Sequence, residues 1–306
     1  MIFPLTHLLV TARLFSGACE CGYSIKHPQG DSPIVFTDRL ETKFSQLHNI
    51  SEGHDWVAQN FTVSAADGRG NFSKAFLPTN VNTRGTKSGD DSGDDSGDDS
   101  GLELRYFNDT QEIDIEFLSQ EFDHDNGIYP INLVVQSKKS LEAGYDASKT
   151  GSFKRVRLDF DPTDAFHEYR FDYLPGQVLF YADGKLLARM KGGDMPSSGG
   201  HLILQHWSNG NPLWSGGPPK EDATVTVSYV KAYFNSSNSE RQSQLVQQCH
   251  ESSEETSVCA IYDSDNDEFD NAAASARRVA QGNFVWVLIV GLIMPFLQLS
   301  RVSLGV

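Results

Sequence analysis

The chain is expected to fold as an all-β, jelly-roll β-sandwich of two curved antiparallel sheets. Three observations carry this expectation. Short runs that alternate apolar and polar residues recur at regular spacing from 102 to 234. Turn signals such as Pro175-Gly176 and Asp183-Gly184 punctuate them. No long stretch between Cys19 and Pro78 carries helical periodicity. Many short strands separated by turns are the pattern of a sandwich or jelly roll.

In chain order, the first expected strand lies within 35–47, where Asp38 to Phe44 alternates, and a second lies at 56–63. The segment 88–101 is three Ser-Gly-Asp-Asp units and a closing Ser-Gly; with no apolar residue it joins no core and reads as a surface loop or linker. Strands are then expected at 102–106, 112–117, 131–136, 153–160 and 167–173. A hairpin follows, 178–182 turning at Asp183-Gly184 into 185–189. The runs 202–207 and 223–234 complete the set.

The chain has 306 residues and a formal net charge of -16, so nucleic acid is excluded as a natural partner. Much of the acid is concentrated in 88–101 and in 251–270, both of which read as solvated polymer. Residues 1–18 read as a secretory signal peptide, mostly apolar to Phe15, with Arg13 late in the run, and then small at Ser16-Gly17-Ala18. Sequons at Asn49, Asn60, Asn71, Asn108 and Asn235 agree with a glycosylated, extracellular surface. The folded domain is expected over 19–235, followed by a Ser/Asn/acidic stalk over 236–283. The apolar tail 284–299, preceded by small residues at 271–275, reads as a lipid-anchor signal or a transmembrane helix. Either would place the protein at the cell surface, anchored to the membrane. Four cysteines allow three pairings; Cys249 and Cys259 close a short loop, and Cys19 and Cys21 lie too near each other to pair easily. No His lies at ligand spacing beside either pair, so a zinc site is not expected.

Glu112-Ile113-Asp114-Ile115-Glu116-Phe117 is the most informative segment. On a strand, Ile113, Ile115 and Phe117 share one face, and Glu112, Asp114 and Glu116 share the other. Three like charges on one face with no Lys or Arg among them are unfavourable, a pattern that functional sites tolerate. Cα atoms four residues apart on a strand are ~13 Å apart, so long Glu side chains on a curved sheet can lean together. The charge of Asp114 is expected to hold a proton on one Glu while the other stays ionised. A solvated strand face and a metal-binding carboxylate cluster are the alternatives on these residues alone.

The hexad resembles the Glu-x-Asp-x-Glu signature of glycoside hydrolase family 16, which includes β-1,3- and β-1,3-1,4-glucanases and cell-wall transglycosylases. Residues 161–169, 178–184 and 205–210 also resemble family segments, and the likeness runs over about 108–234. The Cys19–Tyr23 opening, the sequons and the tail look like secreted fungal members. The resemblance implies a concanavalin A-like jelly roll with a concave glycan-binding face and no cofactor or metal. It implies Glu112 as nucleophile, Glu116 as acid/base and Asp114 as the residue assisting the nucleophile. Trp207 and Trp214 would be sugar platforms, with His206 and Asn209 reaching hydroxyls. The implied activity is a retaining hydrolase or transglycosylase of cell-wall β-glucan, acting as a monomer on polysaccharide. One departure is that the family carries several strands ahead of its signature, whereas only 102–111 separate the acidic repeat from Glu112. A sandwich short of some strands follows, and with it a second reading: a catalytically impaired wall glycan-binding protein of the same fold. A calcium-dependent surface adhesin is a third, since 263–268 and 123–127 faintly resemble calcium loops.

Overall fold

A computed structural model describes residues 19, 21–26, 33–50, 55–83, 110–192, 195–197, 201–219, 223–235, 238–251, 258–261, 289–292 and 298–305, the last two as backbone only. The signal peptide, the acidic repeat, the strand expected at 102–106 and the acidic run 263–268 lie outside the described residues.

The first half carries β1 (Tyr23–Ile25), β2 (Ile34–Phe36), β3 (Asp38–Lys43), β4 (Phe61–Val63), β5 (Lys74–Phe76), β6 (Gln111–Glu116) and β7 (Tyr129–Ser137), then the short helix α1 (Lys138–Glu142). The second half carries β8 (Phe153–Leu158), β9 (Glu168–Leu174), β10 (Gln177–Ala182), β11 (Lys185–Lys191), β12 (Leu202–Gln205) and β13 (Tyr229–Asn235). After these come α2 (Ser239–Glu251), β14 (Cys259–Ala260), β15 (Ile289–Leu292) and β16 (Gln298–Gly305). The all-β architecture is as expected.

One sheet has the order β11-β10-β9-β16-β13-β3, antiparallel throughout. The other side of the sandwich is the antiparallel sheet β6-β7-β8, with β15 lying against β6 and pairing with β12. Hairpin β4-β5 and a small sheet β14-β1-β2 complete the fold. Between the two large layers, Ile113, Ile115, Ile131, Leu133 and Val135 pack against Tyr169, Phe171, Val178 and Phe180. Alternation along β6 and β7 sends these side chains inward, and each buried aliphatic side chain stabilises the fold by ~1.5–3 kcal/mol.

The hairpin at Asp183-Gly184 forms as read: both residues are left-handed, with φ of 45° and 74°. That is the two-residue turn that matches strand twist. The Asp183 carboxylate also accepts from the Glu168 backbone N–H at 2.9 Å and pairs with His167 Nδ1 at 2.7 Å. The 123–127 segment is a tight turn, in which the Asp123 carboxylate accepts from the backbone N–H and the amide of Asn126.

Two expectations are corrected. The Cys249–Cys259 bridge does not form. Cys19 pairs with Cys259 and Cys21 with Cys249, at Cα separations of 4.9 and 5.3 Å. The cause is β14, which runs parallel beside β1 in register Tyr23↔Cys259 and brings the two cysteine pairs together. Second, the folded domain does not end at Asn235, since the expected stalk contains α2 and β14, both tied back to the N-terminal segment. In the sandwich expected to be short of some strands, two places are occupied by strands from beyond residue 283. Strand β16 sits between β9 and β13, and β15 stands between β6 and β12. The apolar tail thus supplies strands, and among the described residues no helix is long and apolar enough to cross a membrane.

Candidate active site

Strand β6 pairs with β7 in the register Glu112↔Gln136, Asp114↔Val134 and Glu116↔Asn132. The three acids therefore share the face opposite the core, as the alternation predicted. Their environments differ. Glu112 is half-buried, whereas Asp114 and Glu116 are only 3% and 5% exposed.

Burial sets the proton inventory. The Asp114 carboxyl is pushed well above the usual carboxylate range, by desolvation first and then by the charges of Glu112 and Glu116; it also shares a hydrogen bond with Glu112. Glu116 is raised to about 8, by desolvation first and then by the charge of Glu112. A hydrogen bond from Trp214 and the Lys74 ammonium work against that rise. The rise of Glu116 was expected from the charge of Asp114. Asp114 is itself raised, and burial together with the charge of Glu112 is what raises Glu116.

Glu112 is held from outside its own sheet. The Tyr145 hydroxyl donates to Glu112 Oε2 at 2.8 Å. Tyr145 reaches this place because α1 is short. Ser137 and Ser140 form a reciprocal capping box at its start, and Gly144 and Tyr145, with φ of 89° and 64°, turn the chain back after its end.

Lys74 on β5 brings a cation to the site. Its Nζ lies 3.5 Å from the centroid of the Trp207 ring. Burial lowers its pKa, and the Glu112 and Glu116 carboxylates oppose that shift. Trp214 lies on the Glu116 side, with the Phe153 ring centroid 6.3 Å from its own. The Trp214 carbonyl accepts from Gln120 Nε2. Three buried polar atoms around the acids have no partner among the described residues: Asp114 Oδ1, Gln136 Oε1 and the Trp207 indole N–H. Two acceptors and a donor left open in this way suit a polyhydroxylated ligand.

The expected site residues therefore part company. Glu112, Asp114, Glu116, Trp207 and Trp214 come together. His206 is half-buried beside Trp207 in the chain. Asn209 is 1% exposed, and its amide is engaged within the protein: Nδ2 donates to the Gly68 carbonyl at 2.6 Å, and Oδ1 accepts from Ser215 Oγ at 2.8 Å and from the Asn211 N–H at 3.2 Å. Asn209 is thus a latch between loops 64–72 and 209–216, its backbone carbonyl also accepting from the Phe72 N–H at 2.8 Å. A Cβ on Gly70 would stand 2.3 Å from Asn209 Cγ, which is why this loop can close so near. Sequence reasoning missed Lys74, Tyr145, Gln136 and Phe153. Of these, Gln136 and Phe153 follow from alternation on β7 and β8 once the register is known. Lys74 and Tyr145 have no local signal.

The site is thus a β-sandwich face with three carboxylates on one strand, one half-buried and two buried, beside two tryptophans. Residues 96–231 match the family model of glycosyl hydrolases family 16. The chain is 32% identical to a beta-glucanase of Paenibacillus macerans over 97 residues, covering 32% of this chain and 34% of the relative. It is 31% identical to a beta-glucanase of Paenibacillus polymyxa over 107 residues (34% and 38%), and 27% identical to one of Bacillus subtilis (strain 168) over 107 residues (34% and 37%). The chain thus spans about a third of the length of these curated relatives. No solved structure matches it.

Proposed function

We propose that this protein is a β-glucan hydrolase or transglycosylase that works by retaining double displacement. The observation that carries the reading is the pairing of a half-exposed Glu112 with a buried Glu116 raised to about 8 on one strand face. In the first step a Glu112 oxygen attacks the anomeric carbon. The glycosidic bond breaks, and its oxygen leaves with the proton of Glu116. In the second step the Glu116 carboxylate takes a proton from water or from a sugar hydroxyl. That oxygen attacks the anomeric carbon and releases Glu112. Water gives hydrolysis; a sugar hydroxyl gives transfer. Asp114 keeps its proton and shares it with Glu112 through their hydrogen bond. The names of the relatives support β-glucan as the substrate.

One observation favours a second reading, a glycan-binding protein with impaired turnover. The Lys74 ammonium covers one face of Trp207, so a sugar ring can stack on that face only after Lys74 moves.

An extracellular location is supported by the two disulfides, which persist in oxidising compartments. Cell-surface attachment through the C-terminal tail competes with the fold for the same residues, because a tail excised or embedded in lipid supplies neither β15 nor β16.

The test is product analysis by mass spectrometry of the protein incubated with β-1,3- and mixed-linkage glucan oligosaccharides, beside Glu112→Gln. Shortened or lengthened oligosaccharides made by the parent and not by the variant are expected, and their lengths separate hydrolysis from transfer. Binding of the same oligosaccharides without any turnover would select the second reading.

A further inference from the structure

We infer that Tyr145 is a positioning residue for Glu112, clamped by Arg69, which holds one carboxylate oxygen so that the other is presented to the sugar. The inference rests on the reading of Glu112 as nucleophile. The Tyr145 hydroxyl donates to Glu112 Oε2 at 2.8 Å. The Arg69 guanidinium lies 4.9 Å from the centroid of the Tyr145 ring, and Arg69 Nη1 donates to the Gly144 carbonyl at 2.7 Å. Arg69 therefore grips the turn on both sides of the Gly144–Tyr145 peptide.

Both partners sit in a conformation that side-chain-bearing residues avoid, Arg69 at φ 51° and Tyr145 at φ 64°. Two such residues in direct contact, one of them bonded to the candidate nucleophile, are strain concentrated where it can serve a mechanism. The strain is supported from behind. The Gly68 and Gly70 N–H groups close the Arg69 loop onto Ser64 and Ala65, and Asn209 ties the loop to 209–216. A rigid line of support thus runs from Asn209 through Arg69 and Tyr145 to Glu112.

The chemistry of this clamp is specific. A donor on Oε2 directs the lone pairs of Oε1 to the anomeric carbon. In the glycosyl-enzyme, Oε2 becomes the ester carbonyl oxygen and keeps its donor. As the ester is cleaved, negative charge returns to the carboxylate and the phenol hydrogen bond strengthens. The guanidinium over the ring draws electron density from it and makes the hydroxyl a better donor.

Tyr145→Phe removes the donor and keeps the ring under Arg69. We expect kcat to fall about ten- to a hundredfold, the range for losing a hydrogen bond to a charged group. KM and the melting temperature should stay near those of the parent. The acidic limb of the pH–rate profile should move to higher pH, because the anion has lost a donor. Arg69→Met should lower kcat in the same direction, and Arg69→Lys should recover part of it. A Tyr145→Phe enzyme with unchanged kcat and an unchanged acidic limb would overturn the clamp. A second measurement separates this from the functional reading. In protein carrying 13C-labelled Glu, with Glu112→Gln identifying the Glu112 signal, the titration midpoint should rise in Tyr145→Phe whether or not the protein turns over glucan. An unmoved midpoint rejects the clamp. A moved midpoint in a protein that turns over no glucan keeps the clamp and rejects the enzyme.

Discussion

Glu116 owes its proton to where its side chain lies, and that has two measurable consequences. In the proposed role of general acid, Glu116 raised to about 8 is lost above that pH, so the basic limb of the rate profile should fall near pH 8. The Lys74 cation lowers that value. Lys74→Met should therefore move the basic limb to higher pH, and a limb that stays or moves down would exclude Lys74 as its electrostatic partner. Stability is linked to the same proton. The folded value of about 8 lies above the carboxyl's ordinary 4.5, so over this range the folded state keeps a proton that the unfolded chain releases. The stability this group contributes is fully present below about pH 4.5 and is lost as pH rises through 8; Asp114, shifted in the same direction, adds to the slope. Thermal melts at pH 5 and pH 8 should show a smaller loss of melting temperature for Glu116→Gln than for the parent. The same substitution should cost turnover about 10²- to 10⁴-fold.

At the scale of the element, β6 has two jobs assigned to alternate residues. Its core side chains set the register that puts the acids opposite Gln136, Val134 and Asn132. Ile115 is buried between the sheets, and Ile115→Ala should destabilise by about 2–5 kcal/mol through the cavity it leaves. Chemical denaturation reads that cost directly. The loop 209–216 is an element of the same importance. Asn209→Ala strands the Gly68 carbonyl, at a cost of about 1–3 kcal/mol where it stays buried, takes one acceptor from Ser215 Oγ, and loosens the loop that carries Arg69. Lower stability together with a kcat loss in the direction of Tyr145→Phe is the expected pair of results. A stability loss with full activity would show that the two loops are mechanically separate.

At the scale of the whole molecule, the chain is closed on itself. Both disulfides join the N-terminal segment to residues beyond β13, across separations of 240 and 228 residues. Replacing Cys21 and Cys249 with Ser should cost about 2–5 kcal/mol. The C-terminal strands matter more. Without β16, strands β9 and β13 lose their shared neighbour, and the six-stranded sheet separates into β11-β10-β9 and β13-β3. Two open sheet edges invite association between chains. A chain ending at residue 283 should therefore unfold at a lower temperature than the full chain and associate at lower concentration, read by calorimetry and sedimentation. A truncated chain that melts like the parent would assign the tail to anchoring alone.

The split between what was legible in the residues and what was not follows the range of the interactions. Period-two alternation is local. It places Ile113 and Ile115 in a core and Glu112, Asp114 and Glu116 together on the opposite face, and Asp183-Gly184 announces its own turn. The acids were legible for the same reason, because they occupy one strand. The disulfide pairing was not, because it depends on β14 lying beside β1, a contact between segments more than 200 residues apart. The tail was read from apolar length, which is equally compatible with lipid and with a sheet interior; only the vacancy beside β9 and β6 distinguishes them. Asn209 was expected among the sugar contacts on sequence position, and its burial against Gly68 decides otherwise. Lys74 acts on Glu112 from the 64–76 region and Tyr145 from the turn after α1, with Arg69 behind Tyr145, and no spacing encodes that meeting. The carboxylates were thus settled by local periodicity. Their protonation, their counter-charge and their support were decided by tertiary structure, because desolvation and Coulomb interactions depend on distance in space rather than along the chain.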